Sequence, residues 1–208
     1  MAHQVAEKLL FINAVKLSPE KPFTWASGWK SPIYCDNRRI LSFPYIRDYI
    51  KSELSNLIDQ RFPDVEVIAG VATAGIAHGV LAADLLKLNF VYVRSGPKDH
   101  GLGNQIEGFF HPGQKIVVVE DLISTGGSSM RACEALRNAG GEVMGIVAVF
   151  DYGFEIARNS FQQAGIPVYT LSNYDALLEV ALQKGMIQEQ QLAILRQWRQ
   201  SPETWGKS

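Results

Sequence analysis

Lys115 to Ser129 read KIVVVEDLISTGGSS. Four apolar residues, Ile116 to Val119, run into two adjacent carboxylates, Glu120 and Asp121, after which Ser124-Thr125-Gly126-Gly127-Ser128 opens a segment whose pattern predicts a helix from Ser128 to Ala139, closed by Gly140. An uninterrupted apolar run of this length reads as a strand covered on both faces, the kind found in parallel sheets. The chemistry lies in the turn behind that strand. Two glycines let the backbone bend so that successive N–H groups point inward, Ser and Thr hydroxyls add donors, and a helix start brings its positive dipole end, a combination suited to a phosphate monoester. The acids lie one turn away, where they can accept hydrogen bonds from sugar hydroxyls or help hold a hydrated divalent cation. A Ser/Thr/Gly turn alone is ordinary capping chemistry. The acid pair directly behind the strand sharpens it, because buried carboxylates need partners. The chain has neither a GxxxxGK[ST] loop nor a GxGxxG after a strand.

Outward from this segment, strands and helices alternate. VEVIAGV (Val65–Val71) reads as a buried strand, Ile76–Lys87 as an alanine-rich helix and Phe90–Val93 as a short strand. Downstream, Val143–Phe150 and Val168–Leu171 read as strands, Phe154–Ala164 as the helix between them, and Tyr174–Lys184 and Gln188–Gln200 as two closing helices. The order predicts an α/β fold, a central, mostly parallel sheet flanked by helices, with ligands at the carboxyl ends of the strands. Before the alternation, Gln4–Lys16 has the apolar spacing of an amphipathic helix. Phe23–Arg39 (FTWASGWKSPIYCDNRR) fits two short strands and a turn, and Ser42 as N-cap with Pro44 in the first turn opens a helix to about Phe62.

Composition narrows the classes. The 208 residues carry 20 Lys and Arg against 21 Asp and Glu, a net charge of −1 without the basic excess of a nucleic-acid groove. Cys35 and Cys133 make no disulfide framework and no zinc pair. The longest stretch free of Asp, Glu, Lys and Arg, Val67–Ala83, is short for a membrane span and is interrupted by Gly70, Gly75, His78 and Gly79. The N-terminus reads as a folded helix rather than a signal peptide, so a cytoplasmic protein of one domain over 1–208 is expected. His78, in its alanine-rich helix, reads as a packed or surface residue rather than a ligand.

A second constellation is YVRSGPKDHGLGNQIEG (Tyr92–Gly108), which sets Arg94, Lys98 and His100 within seven residues among glycines. Three cation-capable side chains on a loop with little to bury suit a polyanion such as diphosphate, and a loop that closes would exclude water.

VVVEDLISTGGSS resembles the phosphoribosyl-diphosphate (PRPP) signature of type I phosphoribosyltransferases, and RxxxKDHG resembles the catalytic loop of the orotate phosphoribosyltransferases among them. SGWKSPIYCDNR (Ser27–Arg38) is close to that family's SGxxSPxYxxxR element. The resemblance implies a type I phosphoribosyltransferase fold with a small N-terminal hood, its hood elements mainly in residues 1–40 and the C-terminal region. It implies transfer of the phosphoribosyl group from PRPP to orotate with Mg²⁺ as cofactor, giving orotidine 5′-monophosphate and diphosphate. By the same resemblance Glu120 and Asp121 meet the ribose hydroxyls and stand near a Mg²⁺ that PRPP mainly holds. Ser124, Thr125, Gly126, Gly127 and Ser128 hold the 5′-phosphate, Leu122 and Ile123 belong to the PRPP site, and Arg94, Lys98 and His100 act on the diphosphate. Tyr34 and Ser124 line the base. A homodimer sharing the loop across subunits is implied, with no nucleic acid or membrane as partner. Ala26, Ala74, Ser95 and Tyr152 stand where cations are common in the family, with Lys30 a substitute. A phosphoribosyltransferase for another base and a PRPP-sensing regulatory protein are the rival readings.

Overall fold

The computed structural model describes residues 1–25, 27–96 and 105–206. Helix α1 (Ala2–Phe11) is followed by strands β1 (Val15–Leu17), β2 (Phe23–Thr24), β3 (Lys30–Ser31) and β4 (Ile33–Cys35), then by a 3-10 turn over Asn37–Ser42. The alternating part runs α2 (Pro44–Arg61), β5 (Val67–Val71), α3 (Ala74–Leu86), β6 (Asn89–Val93), β7 (Ile106–Glu107), β8 (Lys115–Ile123), α4 (Gly127–Asn138), β9 (Glu142–Asp151), α5 (Glu155–Gln163) and β10 (Val168–Asn173). Helices α6 (Tyr174–Gln183) and α7 (Glu189–Gln200) complete it.

Six strands form the central sheet in the order β10-β9-β8-β5-β6-β7, parallel throughout except where β7 lies antiparallel on β6. The period-2 geometry of strands divides the core in two. Val117, Val119, Val147 and Val149 face one cluster, with residues of α1, α2, α6 and α7. Ile116, Val118, Ile146 and Ala148 face the other, with Ala132, Cys133 and Leu136 of α4 and Ala157 and Phe161 of α5. The expected α/β class, mostly parallel sheet and flanking helices are all present. Because β8 lies inside the sheet with both faces covered, a ligand meets it at its carboxyl end.

Several expectations are corrected. The strand expected to stop at Val119 continues to Ile123, because its ladder with β9 extends through Glu120↔Ala148 and Leu122↔Phe150. The acids are therefore strand residues. The first helix ends at Phe11 rather than Lys16. Asn13 takes a φ of 54°, and the chain turns back as β1 to pair antiparallel with β4. Ser42 is not the cap of α2: it closes the 3-10 turn, and Phe43 takes the cap position without a side-chain bond, with Pro44 opening the helix. The aromatic segment forms three strands, not two, since Ile33–Cys35 pairs with β1 outside the β2–β3 hairpin.

Candidate active site

The acid pair sits near the carboxyl end of the interior strand β8. Glu120 is 4 % exposed, and its Oε2 accepts from the hydroxyls of Ser128 (3.3 Å) and Ser129 (3.2 Å) while Oε1 accepts from the backbone N–H of Asp121 (3.2 Å). Burial, reinforced by the charge of Asp121, pushes the Glu120 carboxyl well above the usual carboxylate range. Asp121 is half-buried, and burial raises its carboxyl as well. Two acids are thus held side by side in a setting that disfavours their charge, which suits groups that accept hydrogen bonds from a ligand or meet a cation. The close approach of α3 helps to build that setting. A Cβ on Gly75 would lie 2.6 Å from the Val119 carbonyl oxygen and 3.4 Å from Glu120 Oε1, so only glycine lets the helix rest on the acid.

From Ile123 the chain enters the loop. Gly126 has a φ of +78°, a left-handed turn that aims the following N–H groups along the axis of α4, and no side chain caps that helix. Its first-turn donors are thereby left for a ligand. The loop is braced from beneath by α5: a Cβ on Gly126 would fall 2.8 Å from the Phe161 ring. Ser124, Thr125, Gly126, Gly127 and Ser128 are thus brought together with Glu120 and Asp121 at one sheet end.

Arg94 follows β6. Its N–H donates to the Gln105 carbonyl (2.9 Å), its carbonyl accepts from Gln105 Nε2 (2.9 Å), and its guanidinium Nη1 stands 3.9 Å from Glu107 Oε1. That Nη1 is buried without a hydrogen-bond partner among the described residues. Lys98 and His100 lie outside the described residues, as does Ala26.

The hood side is aromatic. Tyr34 is 40 % exposed and lies 5.8 Å from the Phe23 ring. Tyr152, where a cation is common in the resembling family, is 1 % exposed and packs among Trp25 (5.2 Å), Phe154 (5.4 Å, stacked) and Trp198 (5.8 Å). Trp198 arrives from α7 and donates its Nε1–H to the Lys30 carbonyl (3.1 Å), and Trp25 donates its own to the Ile33 carbonyl (3.1 Å). A cation at position 152 would be desolvated on all sides. Lys30 Nζ is tied to Thr24 Oγ1 (2.9 Å) across the exposed hairpin. Ala74 is the first residue of α3.

Sequence reasoning missed the connection between the hood and the acids. Asn37, fully buried, donates from Nδ2 to the Asp121 carbonyl at 2.6 Å. His78, read as a packing residue, is indeed buried, at 2 % exposure, and burial holds its pKa down to about 4. No residue type or spacing marks either one as part of this site.

With these features in place, the fold and site define a phosphoribosyltransferase. Residues 39–161 match the phosphoribosyl transferase domain family, and the chain belongs to it. Over 97 % of its length it is 58 % identical to the orotate phosphoribosyltransferase of Porphyromonas gingivalis, covering 96 % of that protein. It is 54 % identical over 98 % of both chains to the orotate phosphoribosyltransferase of Listeria innocua. The crystal structure of orotate phosphoribosyltransferase from Aeropyrum pernix superimposes with a TM-score of 0.77 at 28 % identity, covering 88 % of this chain and 99 % of the other. Among the described residues no helix is long and apolar enough to cross a membrane.

Proposed function

We propose that the chain, acting as one domain over residues 1–208, carries out the reaction for which these relatives are named. The 5-phosphoribosyl group passes from PRPP to orotate, giving orotidine 5′-monophosphate and diphosphate. The observation that carries this reading is the union of a buried acid pair with an uncapped, glycine-started helix at one sheet end, in a sequence 58 % identical to an orotate phosphoribosyltransferase.

In this reading Ser124, Thr125, Gly126, Gly127 and Ser128 hold the 5′-phosphate beside Leu122 and Ile123, and Glu120 and Asp121 accept from the ribose hydroxyls. The bond from C1′ to the diphosphate oxygen breaks as a pyrimidine nitrogen attacks C1′, through a transition state resembling an oxocarbenium ion. No protein nucleophile is needed. The protein orients both partners and stabilises charge on the leaving group. Arg94, with its buried guanidinium nitrogen, and Lys98 and His100 act on the departing diphosphate. Tyr34 and Ser124 line the base.

The donor set fits Mg²⁺ in one respect: Asp121 offers a half-buried carboxylate beside the ribose position, while Glu120 is engaged by two serines. Among the described residues no group of three or more His, Cys, Asp and Glu could hold an ion alone. Mg²⁺ would therefore be held mainly by substrate oxygens with Asp121 beside it, and when bound it supplies charge neutralisation on the diphosphate. A cytoplasmic homodimer with the loop 94–108 shared between subunits completes the proposal, and light scattering would check its mass.

The test follows orotate's ultraviolet absorbance with PRPP and Mg²⁺, beside reactions with uracil, hypoxanthine and xanthine. Loss of orotate signal only with PRPP and metal together is the expected result. Turnover of another base instead would overturn the base assignment, and PRPP binding without any turnover would favour a regulatory protein. Lys98→Ala should lower kcat by more than it raises KM for orotate, and an unchanged kcat would remove Lys98 from the chemistry.

A further inference from the structure

Beyond Val119 the acid strand loses one neighbour. Pairing of β5 with β8 ends at Gly70↔Val119, whereas pairing of β8 with β9 runs on to Ile123↔Asp151. Glu120 and Asp121 therefore stand on a strand supported by hydrogen bonds from β9 only, and a backbone carbonyl there needs a partner from elsewhere. The fully buried Asn37 supplies it, with Nδ2 at 2.6 Å from the Asp121 carbonyl oxygen, across 84 positions of sequence.

The orientation of that amide is determined by its neighbours. The Asp121 carbonyl can only accept, so the amide must present its NH₂ there. Its Oδ1 then faces Cys35 Sγ at 3.3 Å, whose S–H donates to it. The buried ring of His78 stands beside the Asn37 backbone from α3, the helix that rests on Glu120 through Gly75, with its Nε2 unpartnered among the described residues. Three elements thus meet behind the acids: the strand that carries Tyr34 and Cys35, the 3-10 turn that carries Asn37, and α3. Asn37, Cys35 and His78 have no role in the reaction scheme.

We propose that Asn37 is a positioning residue for the acid pair. By holding the Asp121 carbonyl it sets the direction of the Asp121 carboxylate and fixes the distance between the ribose position and Tyr34 on the base side. Cys35 orients the amide, and the His78 ring packs behind it. The proposal rests on the PRPP reading of the acids.

Asn37→Asp keeps the shape and the acceptor toward Cys35 but replaces the donor toward Asp121 with an oxygen. The expected result is a PRPP affinity, measured by calorimetry without orotate, weakened roughly tenfold. KM for PRPP and for orotate should rise together, with a smaller change in kcat. A role in folding alone would lower the active fraction and leave both KM values at wild type, and that outcome overturns the proposal. Should Asn37→Asp fail to fold, Cys35→Ala and Cys35→Ser decide. Alanine should raise KM for PRPP a few-fold and serine, which keeps a donor, should restore most of the loss. Equal values for the two variants overturn the proposal. Wild type that binds PRPP but consumes no orotate removes the reaction while leaving the calorimetric test in force. Wild type that binds no PRPP overturns both.

Discussion

The two halves of this site are built in opposite ways. The side that the proposed function gives to the phosphate is contiguous: Glu120 to Ser128 is one stretch of chain, and its geometry follows from a strand ending, a left-handed glycine and a helix beginning. The aromatic side, which the proposed function gives to the base, is assembled from Trp25 near the N-terminus, Tyr152 and Phe154 after β9, and Trp198 in the last helix, with Tyr34 beside Phe23. A local device needs only the sequence that forms it. A composite one needs the whole fold to bring its parts together, so its stability and its function are tied. Damage to the first should appear in PRPP handling with the protein intact. Damage to the second should appear as lost stability together with lost orotate binding.

The largest effect is expected at Trp198, which is fully buried, touches Trp25, Tyr152 and Phe154, and anchors Lys30. Trp198→Ala should cost about 3–5 kcal/mol in urea unfolding. It should also raise KM for orotate more than KM for PRPP. Equal changes in the two constants would break the division between the halves.

Next in size is His78, which ties α3 to the hood. Its ring takes a proton near the ordinary 6.5 when unfolded but only at about 4 in the fold, chiefly because burial disfavours the charge. The unfolded chain therefore binds more protons between these values. This group's contribution is present above the unfolded pKa and is lost as pH falls, by about 3 kcal/mol. Unfolding measured at pH 7 and pH 5 should show a flatter acid limb in His78→Gln than in wild type.

A smaller effect is expected at Gly126. Alanine there would be forced to a positive φ with its Cβ against Phe161, at a cost of about 1–2 kcal/mol. Gly126→Ala should raise KM for PRPP with KM for orotate little changed, the converse of Trp198→Ala.

The smallest change in stability has the opposite sign. The Glu120 carboxyl is raised in the fold by burial and by Asp121. Its folded-state advantage is present below the ordinary carboxylate pKa and is lost as pH rises through the folded value. Glu120→Gln stays neutral throughout, so its Tm should exceed wild type at pH 7.5. That gain should fade toward pH 4.5, with 4.5 the ordinary value of this carboxyl. Activity should fall, because an amide NH₂ replaces one of the two carboxyl oxygens that can accept. A variant that is less stable at neutral pH would show that the carboxylate is better compensated than its burial implies.

Much of this was legible in the sequence. The valine run of β8 could only be an interior strand, and Gly126-Gly127 after it could only be a turn into a helix. The alternation around them implied a parallel sheet with its ligand site at the carboxyl ends. Where the reading stopped short, hydrogen bonding to distant chain was the reason. Glu120 and Asp121 look like loop residues until β9 is seen to continue the ladder beside them. Val15–Leu17 continues a helical pattern until β4 offers it a partner. Tyr152 looks like a lost cation until the rings of Trp25, Phe150, Phe154, Tyr174 and Trp198 are found around it.

By itself, the sequence determined the local elements: a buried strand, two acids and a glycine turn into a helix, because strand, turn and helix preferences act between neighbours along the chain. Only the tertiary structure decided that Asn37 supports Asp121, that His78 stands behind it and that α7 covers Tyr152. Each of these depends on pairings across 41 to 84 positions. A buried polar group or ring takes its partner from whatever the fold places beside it, and residue type alone does not name that partner.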